Sequence, residues 1–329
     1  MNALSAVYGR VARLRRSWYE RHPHSRHVLD RPVISVGNLV VGGSGKTPVV
    51  AALARMLREM GEKPAVLSRG YARRQPADGV VVVSDRERVL EPVERSGDEP
   101  QMLARALPGV PVLVSPDRYL AGRIAERRFD CTVILLDDGF QHLTLARTID
   151  VLLVSPSDLT ERVLPSGRLR EGLDAARSAH AVLVSGTVQD AGRVSEALGV
   201  SRSFTLVSRF APLRPLQHGD AAPVAGNGTR VVAVAGIARP ERFFSALRDQ
   251  GWDVAREISF PDHHWFTPRD LASVQEVVSH VRADLVVTTE KDAVRVGERP
   301  RWAVLPMQVA IEPEGEFRQW LQNGLRGRP

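Results

Sequence analysis

The 329-residue chain has a single cysteine, Cys131. An internal disulfide framework is therefore excluded, and a reducing compartment suits the chain. Cys131 opens an apolar run and reads as a core residue rather than a nucleophile. Aromatic residues make up only 5%, which argues against a platform that stacks single-stranded bases. The N-terminal segment contains no long uncharged span, so it cannot cross a bilayer. It also lacks the layout of a secretory signal. No internal repeat is apparent. There is no acidic excess: the formal net charge is +7, carried largely by arginine. That balance favours a polyanionic partner, whether nucleic acid, a phosphorylated substrate or an anionic membrane surface. Hydrophobic residues at 43% supply a sizeable core, and the length suffices for two domains.

What is present centres on residues 33–48, VISVGNLVVGGSGKTP. A β-branched apolar run feeds a glycine-rich turn, then a lysine, a hydroxyl and a helical pattern. This is the order of a phosphate-binding loop. Gly42, Gly43, Ser44 and Gly45 let successive backbone N–H groups face one anion. The helix starting near Lys46 adds its positive end. Lys46 is placed to reach the β- and γ-phosphates of a nucleotide, and Thr47 to hold Mg²⁺. The usual first glycine of such a loop is Val40 here, so the loop is a variant. A dinucleotide fingerprint fits less well, because its third glycine falls at Pro48.

Further along, strand patterns at Pro64–Ser68, Gly79–Ser84, Pro111–Ser115, Ile149–Val154, Ala181–Ser185 and Ser203–Arg209 alternate with helical ones. The alternation predicts a doubly wound, mostly parallel α/β sheet. Arg69 and Tyr71 fall just beyond a strand end, where open sheets bind ligands. Asp98 has the look of a helix N-cap, or of a carboxylate serving as general base. The run Thr132–Leu136 ends in Asp137-Asp138, a pair suited to Mg²⁺. Gln141 and His142 follow it into the same crevice. The loop 164–171 offers Arg170 to a phosphate and Glu171 to the metal shell, or leaves both to water.

Periodicity lapses over Pro212–Asn227, and a second α/β unit follows. Within it, Phe260–Phe266 sets His263 and His264 beside Asp262. Zinc lacks a completing Cys/His pair nearby. A plain surface loop, or a histidine assisting a base in the cleft, both fit. Thr288–Asp292 is faintly like a guanine-reading motif, with the wrong spacing. At the other end, residues 2–19 form an amphipathic helix with Leu4, Val7, Tyr8, Val11, Leu14 and Trp18 on one side. Arg10, Arg13 and Arg16 lie opposite, and Arg15 falls in the apolar sector. The helix either lies on an anionic membrane or packs on the core.

Together, SVGNLVVGGSGKTP, LSRGY, GDEP, LLDDGFQH, PSGRLRE, AGIARPERFF, FPDHHWF and TTEKDAVR resemble the tetraacyldisaccharide 4′-kinase family of Gram-negative bacteria. The resemblance runs from about residue 32 to residue 295. It implies ATP- and Mg²⁺-dependent phosphorylation of a tetraacylated glucosamine disaccharide 1-phosphate at its 4′-hydroxyl. It implies a peripheral enzyme on the cytoplasmic face of the inner membrane, with no nucleic-acid partner. By resemblance Asp98 is the catalytic aspartate and His263 its partner. Lys46, Thr47, Asp137, Asp138, Arg170 and Glu171 fall on phosphate and metal positions. The expected division is a docking helix and lead-in (1–30), a P-loop kinase domain (31–212) and a smaller α/β domain (213–329) closing over the site. The competing reading is a nucleotide-switched GTPase or ATPase that binds nucleic acid or protein.

Overall fold

The computed structural model describes residues 3–42, 45–71, 73–216 and 228–327. Gly43 and Ser44 of the predicted loop, and most of the predicted break before Gly228, lie outside them. The chain begins with α1 (Ala3–Arg21), β1 (Val33–Asn38), α2 (Lys46–Glu59), β2 (Pro64–Ser68) and β3 (Val81–Ser84). Then come α3 (Val93–Ser96), α4 (Asp98–Ala106), β4 (Val112–Val114), α5 (Arg118–Phe129), β5 (Val133–Asp137), β6 (Ile149–Val154) and β7 (Ala181–Ser185). Next are α6 (Val188–Leu198), β8 (Ser203–Phe210), β9 (Arg214–Pro215), β10 (Arg230–Ala235), α7 (Pro240–Asp249) and β11 (Asp253–Ser259). The chain closes with α8 (Pro268–Val281), β12 (Leu285–Thr289), α9 (Glu290–Val296), β13 (Trp302–Leu305), β14 (Met307–Glu312) and α10 (Glu314–Arg326).

A nine-stranded sheet has the order β14-β8-β7-β6-β1-β5-β2-β4-β3. Its interior pairs are parallel, and only the edge strands β3 and β14 run antiparallel. The central strands β1, β2, β5 and β6 are buried at every residue, as helices on both faces require. β1 lies between β6 and β5, which follow it in sequence. The chain therefore reverses direction beside β1, and the carboxyl ends of β1 and β5 open onto one crevice. A five-stranded sheet, β11-β10-β12-β13-β9, forms the second unit and is parallel except for β9.

The expected boundary at 212/213 needs correcting at the far end. After β13 the chain returns to the large sheet, where β14 pairs with β8. Phe317 and Leu321 of α10 join the core beneath β1 and β8, and the Phe317 ring stacks edge-on to Phe204 at 4.9 Å. Residues 213–305 supply the small sheet and 307–326 complete the large one.

Helix α1 packs the reverse way from a soluble amphipathic helix. Its buried residues are Ser5 and Arg16. Ser5 Oγ donates to Ser166, Arg13 pairs with Asp174 at 2.9 Å, and Ser178 donates to Glu20. These residues share a helical face turned to the 163–178 segment. Leu4 and Val11 stay 64% and 60% exposed, and Val7, Tyr8, Leu14 and Trp18 are exposed with them. The expectation that the stripe could pack on the core is thus overturned. No helix among the described residues is long and apolar enough to cross a membrane.

Candidate active site

The predicted phosphate loop sits between β1 and α2. Gly45 caps α2 with φ +78, a backbone that costs a non-glycine residue energy. Val40, where the usual pattern has glycine, is buried with Leu39, Phe140 and Leu169 in the core beneath the loop. The variant position has therefore become a packing residue. Lys46 opens α2 and donates to Asn38 Oδ1 at 3.0 Å, with Asp138 Oδ1 at 3.5 Å. Thr47 is the next helical residue.

Asp137 ends β5 and Asp138 follows it with φ +56. A left-handed aspartate at the end of a buried strand is strain held in place by its surroundings. The two carboxylates diverge in character. Burial, then the neighbouring charges of Asp138 and Glu99, push Asp137 up to about 7. Burial also penalises charge on Asp138, but Lys46 and Arg170 outweigh it and hold that carboxyl below its ordinary range. Arg170 Nη1 reaches both Asp138 oxygens at 3.0 and 2.8 Å and Gln141 Oε1 at 3.3 Å. Gln141 in turn donates to the Asn38 carbonyl. Among the described residues, Asp137 accepts one side-chain bond, a long 3.3 Å one from Ser68. A nearly dry carboxylate so poorly satisfied fits a hard cation. Among the described residues no group of three or more His, Cys, Asp or Glu could hold a metal by itself. The donor set suits an ion that completes its shell with phosphate oxygens and water.

Glu171 departs from expectation. Both its oxygens accept from Arg16 of α1, at 2.7 and 2.8 Å. The carboxylate is engaged by a buried guanidinium, so its placement in the metal shell is not what the structure shows.

A second cluster joins the two units. Asp98 is the first residue of α4 and Gly97 is the cap, without a side-chain capping bond. The N-cap expectation is therefore wrong, and the carboxylate points elsewhere. Asp98 Oδ2 lies 2.8 Å from His263 Nδ1. Arg295 of α9 grips Asp98 through two nitrogens, Nε to Oδ1 at 2.6 Å and Nη2 to Oδ2, and donates to the His264 carbonyl at 2.9 Å. The Arg295 and Asp98 side chains are 1% and 4% exposed. Burial lowers the guanidinium to about 10, so it stays charged at neutral pH. Lys291 Nζ stands 3.2 Å from His263 Nε2 and 2.9 Å from Asp262. Arg295 Nη2 stands 3.1 Å from His263 Nδ1, so a cationic donor faces each ring nitrogen, while Nδ1 also faces the Asp98 carboxylate. Like Asp138, His263 holds a left-handed backbone, φ +62. The exposed Tyr71 ring meets His263 edge-on at 5.7 Å. Lys291 also lies 3.9 Å from Glu99, whose charge reaches Asp137. The two clusters are thus adjacent.

His142 lies half-buried near Arg118, and Arg69 is exposed at the end of β2 with its charge felt at Arg118. Burial, then Arg118 and Arg147, bring the His142 imidazole down to about 4. Its ordinary value is about 6.5. Between those values the unfolded chain binds the proton and the fold does not, so His142 removes stability as pH falls from 6.5 toward 4. An NMR titration should show the His142 ring neutral down to about pH 4. A midpoint above 6 would mean that the ring is solvated.

Comparison with known proteins agrees with this geometry. The family model described as tetraacyldisaccharide-1-P 4′-kinase matches residues 1–326. The chain belongs to that family. The tetraacyldisaccharide 4′-kinase of Geobacter sulfurreducens is 41% identical over 295 residues, covering 89% of this chain and 82% of its own. That of Koribacter versatilis is 38% identical over 307 residues, covering 91% and 89%. The crystal structure of "apo" form LpxK from Aquifex aeolicus in complex with ATP superposes with a TM-score of 0.79 at 30% identity, covering 98% of this chain and 97% of that one. Within this family member, sequence reasoning missed Arg16, Arg295 and Lys291 as members of the two clusters. TTEKDAVR does contain Lys291 and Arg295, but nothing local ties either to Asp98. Asp292 of the same stretch is turned inward and accepts from Gly236 N and Thr289 Oγ1. The likeness to a guanine-reading motif is not supported by that geometry.

Proposed function

We propose that this chain transfers the γ-phosphoryl group of ATP to the 4′-hydroxyl of a tetraacylated glucosamine disaccharide 1-phosphate, at the cytoplasmic face of the inner membrane. The observation that carries the reading is the partly buried Asp98–His263 pair, built from both units beside Lys46 and the Asp137–Asp138 carboxylates. Phosphoryl transfer asks for positioning and charge neutralisation more than for covalent chemistry. Gly42 to Thr47 and Lys46 would cradle the nucleotide phosphates. Thr47, Asp137 and Asp138 would hold Mg²⁺, which supplies charge neutralisation at the β- and γ-oxygens. Arg170 orients Asp138 and adds positive charge at the same crevice.

Asp98 would accept the proton of the acceptor hydroxyl or fix that hydroxyl in line. His263 holds Asp98 in orientation from the second unit, with Lys291 against its other ring nitrogen. Arg69, Tyr71, Gln141 and His142 lie around the crevice as contacts for the acceptor and for phosphate. Because Asp98 and His263 come from different units, closure of the small unit would assemble the site and exclude water.

The exposed stripe of α1 supports docking to a lipid surface, since a contiguous apolar patch on a structured helix calls for a cover. The flanking arginines would favour anionic headgroups. Val7→Asp/Val11→Asp should cut association with phosphatidylglycerol-containing vesicles at least tenfold in flotation. Its thermal midpoint should stay unchanged, because both side chains are already exposed. Loss of stability with unchanged flotation would place the stripe in the fold instead.

The deciding experiment measures ATP turnover in detergent micelles with and without the tetraacyl disaccharide 1-phosphate. Lipid-dependent turnover supports the reading. Stimulation by RNA or DNA, or a preference for GTP, would favour the nucleotide-switched binding module.

A further inference from the structure

One side chain carries α1 into the phosphate site. Arg16 is 5% exposed and lies on the face opposite the lipid-facing stripe. Its guanidinium forks onto Glu171, donates to the Phe140 carbonyl at 3.2 Å and stands 4.3 Å from the Phe140 ring centroid. Both partners are chain neighbours of site residues. Glu171 follows Arg170, which grips Asp138. Phe140 lies two residues beyond Asp138. Neither partner has slack. Phe140 is fully buried against β1, where a Cβ on Gly37 would stand 2.4 Å from its own Cβ. The Arg170 backbone N–H is tied to the Leu39 carbonyl at 2.7 Å. A displacement of Arg16 must therefore be transmitted to both loops.

We propose that Arg16 is a positioning residue for phosphoryl transfer: through Glu171 and Phe140 it holds the Asp138–Arg170 pair, so the helix that meets lipid also sets the phosphate site. The inference rests on the kinase reading above and assigns Glu171 to Arg16 rather than to the metal. The planar fork is what the geometry uses, since a lysine keeps the charge but cannot make two parallel bonds and stack on a ring.

The test compares wild type, Arg16→Lys, Glu171→Gln and the double variant Arg16→Gln/Glu171→Gln. The double is included because Arg16→Gln alone strands Glu171 as a buried charge, whereas two amides leave none. Four readouts are taken: Mg²⁺-dependent kcat on micellar substrate, affinity for a fluorescent ATP analogue without lipid, flotation with anionic vesicles, and thermal midpoint. The double should fold and float as wild type does. Its kcat should fall 10- to 100-fold and its analogue affinity about tenfold. Arg16→Lys should fall between. Should the double lose its fold, Arg16→Lys decides, with reduced kcat and normal flotation supporting the strut.

The proposal is overturned if Arg16→Lys and the double keep kcat within twofold of wild type. It is overturned if flotation falls in step with kcat, which makes Arg16 part of the anchor. It is also overturned if Glu171→Gln raises the Mg²⁺ midpoint tenfold while Arg16→Lys leaves it alone, which makes Glu171 a metal ligand. A wild type without lipid turnover would sink the kinase reading. The analogue affinities would then still decide the strut.

Discussion

Asp98→Ala should lower lipid-dependent turnover by roughly 10²- to 10⁴-fold, the range for loss of a positioned general base. The carboxylate is nearly dry and held at three points, by His263 and by two nitrogens of Arg295. Such over-determination aims a side chain; a capping role would have needed only the helix N–H groups, which Asp98 does not cap. The alanine variant also strands Arg295 as a buried cation, so stability falls with activity, by about 3–5 kcal/mol if the site stays dry. Asp98→Asn separates the two effects. It keeps the volume and one acceptor oxygen and removes the charge. If Asp98 accepts the proton, the asparagine variant should be nearly as slow as alanine, with nucleotide affinity unchanged, because Lys46 and Asp138 are untouched. If Asp98 only orients the hydroxyl, Asp98→Asn should recover tenfold or more over alanine. Initial rates in micelles, with analogue affinity measured separately, distinguish these results. Turnover within threefold of wild type in both variants would reduce Asp98 to one half of a clamp between the two units.

The same residue shows where sequence legibility ends. Asp98 precedes a helical pattern, and local chemistry favours a cap there. The partners that claim its carboxylate lie 165 and 197 residues away, and no periodicity announces them. Resemblance could place His263 beside it, because both sit in matching motifs, but not Arg295. The phosphate loop was legible because its chemistry is local: a strand, small residues, a lysine and a helix start must be contiguous. The parallel sheet was legible for a like reason, since strands buried on both faces read as unbroken apolar runs.

Helix α1 was half legible. Spacing gave the stripe, but which side faces the protein depends on what the rest of the fold offers. Arg16 was placed with the solvated arginines, yet it is the buried one, because Glu171 awaits it 155 residues on. Strand β14 shows the same limit at the other end. Its alternating MQVAIE pattern fits an edge strand, but an edge of either sheet would do. The return to β8 is fixed by the packing of Phe317 on Phe204, a contact across the whole second unit.

Lys46→Met should cost about 10²- to 10³-fold in kcat, as removal of a charge aimed at the transferring group does elsewhere. The side chain is mostly enclosed, and Asn38 and Asp138 fix its ammonium at the head of α2. Methionine keeps the length of the stem and removes only the charge, so packing is preserved. Asp138 retains Arg170 as counter-charge, so the thermal midpoint should move little. Affinity for ATP should fall as well, since the lysine meets the β- and γ-phosphates in the ground state as well as in transfer. Lys46→Arg should not restore the rate, because a planar fork cannot occupy the space of a single donor beside Asn38. This variant also separates the two clusters. Asp98→Asn should spare nucleotide affinity, whereas Lys46→Met should damage it, and both should slow transfer. Should Lys46→Met bind and turn over ATP within threefold of wild type, the nucleotide phosphates lie elsewhere. Arg170 and the buried Arg118 would then be the cations left near Asp137 and Asp138 to receive them.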